Sequence, residues 1–255
     1  MKLTKYKFDN SIDPKNGQEK HKHLLGEKEL MGTTSLIKAI LPPPLQWWAS
    51  GKALEKMGWL KEDKKESLKR SKEFIENATP LMETPESWYK FLEECYKNHA
   101  TYTKQRAVEG TDTHASIEEA IKTNTLDKTP LKDWAVGKTF LHSEVHVFSE
   151  EHWLGGIVDM VYKENGEYYL ADLKTSKAIY PSAFIQLGLY DLQQKENGFV
   201  NAKGEQISEP LEIKGYTVVQ GNGNHKTYYG DLTKMATTLA HLYKTLKNIE
   251  LICKN

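Results

Sequence analysis

Two aspartates and a lysine near the middle of the chain have the types and spacing best suited to chemistry. Asp159 and Asp172 lie in two strand-like segments that are separated by a short polar stretch containing Asn165 and Gly166. Asn-Gly is the strongest short signal for a two-residue hairpin turn, because both central positions need positive φ. Asp159 precedes this turn by as many residues as Asp172 follows it, so the hairpin places the two carboxylates opposite one another.

Facing carboxylates need a counter-charge. Cross-strand neighbours have Cβ atoms roughly 4.5–5.5 Å apart, and like charges in this position destabilise a sheet. A divalent cation would supply the charge, and such oxygen ligands suit Mg²⁺ or Mn²⁺. Lys174 shares the face of Asp172 through the period of two along a strand. The residues alone therefore also allow a solvated sheet face on which Lys174 neutralises both aspartates.

Two further pairs have the spacing of neighbours on one helix face. Gln186 and Tyr190 lie four residues apart in the segment after Pro181, and His114 and Glu118 have the same spacing. The first pair can point over the sheet that carries the aspartates, although such residues are more commonly amphipathic boundary positions. A single helical histidine is likewise more often structural than a metal ligand.

The strand before Asp159 carries His142, Glu144 and His146 at alternating positions. A loop of even length between the two strands would put this alternating face on the side of Asp159. Glu144 would then be a further metal ligand or a base that orients water. A one-residue bulge would reverse the assignment.

Composition limits the class of protein. The chain has 255 residues, 38% of them hydrophobic and 27% charged, as in an ordinary globular protein with one core. Thirty-five basic residues balance thirty-five acidic ones, so nucleic acid could be bound only in a local groove. Cys95 and Cys253 lack metal-ligand spacing, which fits a reducing compartment and excludes a cysteine-ligated iron–sulfur cluster. The polar N-terminus argues against a signal peptide or membrane anchor, so we expect a cytoplasmic protein.

The pattern of apolar and helix-capping residues predicts a mixed α/β fold in one domain. A mainly helical N-terminal part, 1–125, precedes an αβ core, 126–255. Thr33 to Ser35 offer an N-cap for the first helix, and a break at Gly110 separates two later ones. The predicted helices are 33–41, 45–57, 60–77, one from Pro85 past Tyr102, 111–122, 181–195 and 233–252; the predicted strands are a short one near Tyr6 and Phe8, 139–148, 154–163, 167–175, 213–219 and 226–229.

Three tryptophans have two interpretations. Trp47, Trp48 and Trp153 could stack on nucleic-acid bases. Large aromatic side chains are more commonly buried, so we expect these three to belong to the core.

Taken together, these residues resemble the RecB-like branch of the PD-(D/E)XK nucleases. The resemblance spans roughly residues 30–245, and the N-terminal stretch 33–49 is most similar to stand-alone phage exonucleases and the mitochondrial genome maintenance exonuclease. In chain order, the matching motifs are Gly110 with His114 and Glu118, then Glu144, Gly156 with Asp159, Asp172 with Lys174 and Thr175, and Gln186 with Tyr190.

The resemblance implies a restriction-endonuclease-like core, a central mixed β-sheet flanked by helices. It implies that the metal ligands are His114, Asp159, Asp172 and the Leu173 carbonyl, and that Lys174 positions or activates the attacking water. It implies that Thr175, Gln186 and Tyr190 contact DNA or support the site. Val158 replaces the proline of the family's name, and the four-cysteine cluster of some members is absent.

We therefore expect a metal-dependent DNA exonuclease that uses Mg²⁺ or Mn²⁺ and prefers single-stranded ends. It would act in phage or bacterial DNA processing, with a recombination or replication protein as a partner. Facing carboxylates can hold the one or two metal ions that phosphodiester hydrolysis uses. A structure-specific or restriction-type endonuclease is the alternative on the same core. A non-catalytic DNA-binding module is a third interpretation, although binding alone does not need the set of Asp159, Asp172 and Lys174.

Overall fold

The computed structural model describes residues 5–12, 19–42, 46–78 and 83–253. The chain divides into two compact units, one of Met1–Pro42 with Asp112–Asn255 and one of Pro43–Thr111. Neither boundary coincides with the division that we predicted near residue 125.

In the described residues, three strands precede a run of helices, and the rest of the chain carries most of the strands with two long helices among them. The helices are α1 Thr33–Ile40, α2 Gln46–Glu55, α3 Lys64–Asn77, α4 Pro85–Lys122, α5 Lys132–Ala135, α6 Pro181–Asn197 and α7 Thr233–Cys253, with a 3-10 turn at Leu126–Lys128. The strands are β1 Tyr6–Ile12, β2 Glu19–Leu25, β3 Lys28–Gly32, β4 Thr139–Ser149, β5 Leu154–Glu164, β6 Glu167–Lys174, β7 Phe199–Val200, β8 Gln206–Ser208, β9 Ile213–Gln220 and β10 His225–Tyr228.

Several predicted elements are correct and two predictions are wrong. All seven predicted helical regions are helical, but α4 runs without the predicted break at Gly110. A glycine within a helix costs about 1 kcal/mol relative to alanine, and the flanking residues of a 38-residue helix outweigh that cost. The described residues up to Gly32 form three strands, whereas we predicted one short strand in a mainly helical part.

The β5–β6 hairpin has the predicted register. Asn165 and Gly166 both have positive φ, +51° and +86°, as the tight turn requires. The strand pairs run from Glu164 opposite Glu167 to Met160 opposite Ala171. The ladder therefore ends one pair before Asp159 and Asp172, and the two strands are not paired there.

The sheet forks at β5. One side of β5 pairs with β4 along almost its whole length. The other side is shared, because β3 pairs in parallel with Leu154 and Gly155, whereas β6 pairs in antiparallel fashion from Met160 onward. Between these two ladders, residues 156–159 face no strand of the described chain on that side. Over the described ranges, the result is a mixed sheet of ten strands with a branch beside Asp159.

Helices cover both faces of the sheet around the fork. The C-terminal end of α4 packs through Ile117 and Ala120 against Met160 and Leu173. On the other face, α6 packs through Ala183, Leu187 and Tyr190 against a set of valines and leucines, Val145, Val147, Val158, Val161 and Leu170. Helices α1 and α7 cover the outer side of α6 through Leu36, Ile37, Ala236 and Ala240.

Bare backbone at the fork lets these layers approach closely. A Cβ on Gly156 would clash with the Tyr190 ring at Cε1, and a Cβ on Gly155 would clash with His23 Cβ. Thr33 does not cap α1 as we predicted; its hydroxyl donates to the Gly155 carbonyl at 3.1 Å and accepts from Gln193 Nε2 at 2.8 Å. Gly155 and Gly156 must both lack a side chain, because a Cβ at either position would overlap a neighbouring residue.

We predict that Gly156→Ala destabilises the protein. The new methyl group must displace the buried Tyr190 ring, which costs about 1–3 kcal/mol in a packed core. Urea denaturation measures the free energy of unfolding. Gly51→Ala is the control, because no atom lies within 4 Å of its Cβ position and helix propensity should stabilise that variant by up to about 1 kcal/mol. Wild-type stability of Gly156→Ala would show that the ring is free to move.

Candidate metal centre

Three side chains of the metal-ligand type meet at the fork. They are His114 from α4, Glu144 from β4 and Asp159 from β5, and one ligand atom from each lies within 4.8 Å of the others. His114 Nδ1 is 3.8 Å from Glu144 Oε1 and 3.7 Å from Asp159 Oδ2. All three are partly exposed, so the cluster is open to a cation from solvent.

Glu144 reaches the cluster because of the β4–β5 register. The loop between the strands, 150–153, has four residues, and Glu144 lies between the pairs Ser143–Met160 and Val145–Val158, level with Asp159. The bulge in β4 lies at Phe140–His142, beyond Glu144 from the loop, and does not reverse the assignment. Glu144 also has a left-handed φ of +50°, which is uncommon for a side chain of this kind and recurs at functional sites.

Asp159 lies on β5, one residue beyond the last strand pair of the β5–β6 hairpin. Its Oδ2 accepts a hydrogen bond of 2.7 Å from the Leu173 N–H, just beyond the last pair of the β5–β6 ladder. In an extended strand, the N–H and C=O of one residue point to the same side. The Leu173 carbonyl, a predicted ligand, therefore points towards the Asp159 side of β6.

Asp172 lies deeper and is held by Lys174. The carboxylate is 1% exposed, and Lys174 Nζ donates to its Oδ1 at 2.9 Å. Oδ2 is 2.8 Å from the same ammonium, but no hydrogen bond of suitable geometry reaches this buried oxygen. The alternative of a solvated face on which Lys174 neutralises both aspartates is wrong, because Asp172 is removed from solvent and the ammonium contacts only that aspartate.

Gln186 and Tyr190 point over the sheet as we predicted. Lys174 Nζ donates to Gln186 Oε1 at 3.2 Å, and Gln186 Nε2 donates to the Tyr190 hydroxyl at 2.6 Å. The chain of contacts fixes the Lys174 ammonium from the α6 side. Both α6 side chains are buried in the described structure.

Burial and crowded charge shift the pKa values at the fork. Burial, together with the charge of Asp172, raises the pKa of Asp159 to about 7. Burial also raises the pKa of Asp172, against the opposing effect of Lys174. Burial alone would lower the pKa of His114, but Glu144 and the charges of the two aspartates outweigh it and raise the value. The raised pKa values of the two aspartates show that burial and mutual repulsion disfavour the ionised carboxylates, so a bound cation or proton would stabilise the centre.

The other predicted residues lie around the centre or apart from it. Glu118 pairs with Lys122 and lines the same small cavity as His114. Thr175 directly follows β6 and is half-buried. His142 packs against Phe199, and His146 contacts the Tyr6 hydroxyl at 3.1 Å, so neither accompanies Glu144.

The three tryptophans differ in exposure and in their contacts. Trp47 is 86% exposed and Trp153 is 37% exposed, and the expectation that they belong to the core is wrong for both. Trp48 contacts the Tyr102 ring edge-on, and the Trp153 indole donates to the Glu29 carbonyl at 3.0 Å. Thr33 is the supporting residue that sequence reasoning missed, because its contact with Gly155 joins positions far apart in the chain.

Comparison with known proteins adds no family assignment. No protein-family model matches the sequence, and no curated protein is significantly similar to it. Of the helices that the structure describes, none is both long and apolar enough to cross a membrane. Function must therefore be inferred from the geometry of the centre.

We predict that Asp159→Asn stabilises the metal-free protein in a pH-dependent manner. An aspartate ionises near pH 4 when unfolded but near pH 7 here, so the cost of its charge in the fold develops between these values and persists above them. The variant should gain up to about 4 kcal/mol at pH 8 and little at pH 4. The side-chain carbonyl of the new asparagine would still accept the Leu173 N–H bond.

Urea denaturation at both pH values, with EDTA present, checks this. Asp127→Asn replaces an exposed aspartate and serves as the control. A gain of equal size at pH 4 and pH 8 would contradict the electrostatic explanation.

Proposed function

We propose that the protein is a metal-dependent deoxyribonuclease that hydrolyses phosphodiester bonds with Mg²⁺ or Mn²⁺. One observation carries the proposal: His114, Glu144 and Asp159 offer ligand atoms within 4.8 Å of one another, beside the ion pair that the partly exposed Lys174 forms with the buried Asp172. Carboxylates that crowd together repel one another and destabilise a fold unless cations compensate them, and here three carboxylates share one ammonium and one imidazole. Their presence therefore supports a metal-dependent function over a module that only binds DNA.

The donor set fits such a cation. Carboxylate oxygens suit Mg²⁺ and Mn²⁺, and an imidazole in the set favours Mn²⁺ over an all-oxygen site. His114, Glu144 and Asp159 would hold the ion, with Asp172 Oδ2, which accepts no well-formed hydrogen bond, and the Leu173 carbonyl as further oxygens near the fork. This assignment gives Glu144 a larger part than the resemblance to RecB-like nucleases implies. A metal ion at such a site lowers the pKa of water and neutralises charge on the phosphate.

Lys174 acts through its charge. Burial lowers its pKa, but Asp172 and Asp159 outweigh this and raise it, so the ammonium remains protonated at neutral pH. A fixed cation orients the attacking water and stabilises the negative charge that develops at the phosphate. Lys174 is therefore not the base. The proton of the water must therefore pass to a carboxylate of the centre or to solvent.

The mode of attack rests on the resemblance to stand-alone phage and mitochondrial exonucleases. On that ground we propose degradation of single-stranded DNA from its ends, in DNA processing within a bacterial or phage-infected cell. An exonuclease of this kind needs a free end, whereas an endonuclease on the same core does not. Circular substrates therefore separate the two.

The test is hydrolysis of end-labelled single-stranded DNA, linear and circular, and of blunt duplex, with Mg²⁺, Mn²⁺ or EDTA. We predict short products from linear single strands with either metal, much slower attack on duplex, and little on circles. Asp172→Asn should lower turnover by at least about a hundredfold while the protein stays folded, because the carboxylate that holds Lys174 loses its charge.

Asp127→Asn, an exposed site, is the matched control and should leave turnover unchanged. Near-wild-type turnover by Asp172→Asn would contradict the proposed centre. Rapid cutting of circles would favour the endonuclease. Absence of hydrolysis by the wild-type protein with both metals would overturn the proposed function.

A further inference from the structure

A groove of about 750 Å³, with a lining of mixed polar and apolar residues, lies at the carboxyl ends of β6 and β9. Its lining is rich in cationic and amide side chains, and Asp133 is the one carboxylate residue among the lining positions. The polar lining comprises Lys177, Gln220, Asn222, Asn224, His225 and Lys226. None of these residues was singled out by the sequence.

The groove begins beside the metal centre. Lys174 pairs with Gln220 across the β6–β9 ladder, and the Gly221 N–H donates to the Lys174 carbonyl at 3.1 Å. A Cβ on Gly221 would lie 3.4 Å from Thr113, the neighbour of His114. Lys177 follows Lys174 by three residues, a reach of at most about 10 Å. Groove and centre are therefore neighbouring parts of one surface.

The walls of the groove are fixed by contacts of their own. Gln220 Nε2 donates to the Ser176 carbonyl at 2.5 Å, which holds the loop that carries Lys177. The β9–β10 turn has Gly223 at a φ of +87°, where a Cβ would lie 2.5 Å from the Pro130 carbonyl oxygen. This turn therefore packs directly against the segment before α5. Groove walls that are already ordered reduce the entropy cost of binding.

The charge of the groove suits a polyanion. Lys177 and Lys226 are both exposed, and neither forms an ion pair with any residue that the structure describes. By contrast, Lys138 and Lys214 on neighbouring elements pair with glutamates. The protein as a whole has no net charge, so unpaired lysines gathered in one groove indicate a local anionic ligand.

We propose that this groove binds the phosphates of a single DNA strand next to the bond that is cut, through Lys177 and Lys226. The inference rests on the proposed function and extends it to the path of the substrate. Lysines position a nucleic-acid strand through phosphates, and amide side chains such as Asn222 and Asn224 can bind phosphate or sugar oxygens. Both lysines are substrate-positioning residues and take no part in the chemistry.

The test is binding of a fluorescent single-stranded deoxythymidine oligonucleotide by anisotropy, in EDTA so that no hydrolysis occurs. The double variant Lys177→Ala/Lys226→Ala should bind at least about tenfold more weakly near 0.1 M salt. Loss of two phosphate contacts should also reduce the slope of log K against log salt by about 1.4. The control, Lys203→Ala/Lys234→Ala, removes two exposed lysines outside the groove and should match the wild type.

Unchanged affinity and salt slope in the groove variant would overturn the inference, as would equal losses in both double variants. Wild-type protein that binds no oligonucleotide would overturn it too. The outcomes also separate the two proposals. Binding that depends on Lys177 and Lys226 without any hydrolysis would support the groove and refute the nuclease. Hydrolysis by a groove variant with wild-type affinity would refute the groove alone.

Discussion

The fork in the sheet at β5 is the constraint on which the site depends. Where β3 ends its pairing and β6 has not yet begun, the backbone of 156–159 has β4 on one side and no strand on the other in the described structure. At the two borders of this gap, polar side chains bind backbone groups of the neighbouring residues. Thr33 binds the Gly155 carbonyl, and the Asp159 carboxylate binds the Leu173 N–H. The same interruption that demands these contacts opens a space in which ligands from α4, β4 and β5 converge.

Electrostatics at the fork follow from that convergence. Glu144, Asp159 and Asp172 lie near one imidazole and one ammonium, in surroundings that burial makes poor at stabilising charge. The metal-free fold therefore bears a cost that a bound cation would relieve. Such a cost is typical of functional sites, where stability is lower than other side chains at the same positions would allow. Lys174 contacts Gln186, and Gln186 contacts Tyr190. These contacts hold the Lys174 ammonium in one position.

Local features of the fold could be predicted from the sequence, and long-range ones could not. The hairpin followed from Asn165-Gly166, and the α6 face followed from helical spacing, because both depend on neighbouring residues. The strand β2 lacks apolar alternation, since its sequence is mostly Lys, His and Glu, and pairing between β3 and β5 joins segments more than 100 residues apart. The groove at Lys177 and Lys226 likewise depends on how separate loops meet.

Calorimetric titration of the metal-free protein with Mn²⁺ tests the central claim, that the fork is a metal centre. We predict saturable binding by the wild type, and affinity at least about tenfold lower in His114→Ala and in Glu144→Gln, because each variant removes a ligand. His99→Ala, which alters a partly exposed histidine of the other unit, should bind Mn²⁺ as the wild type does. Identical isotherms for all four proteins, or no binding by the wild type, would contradict the account.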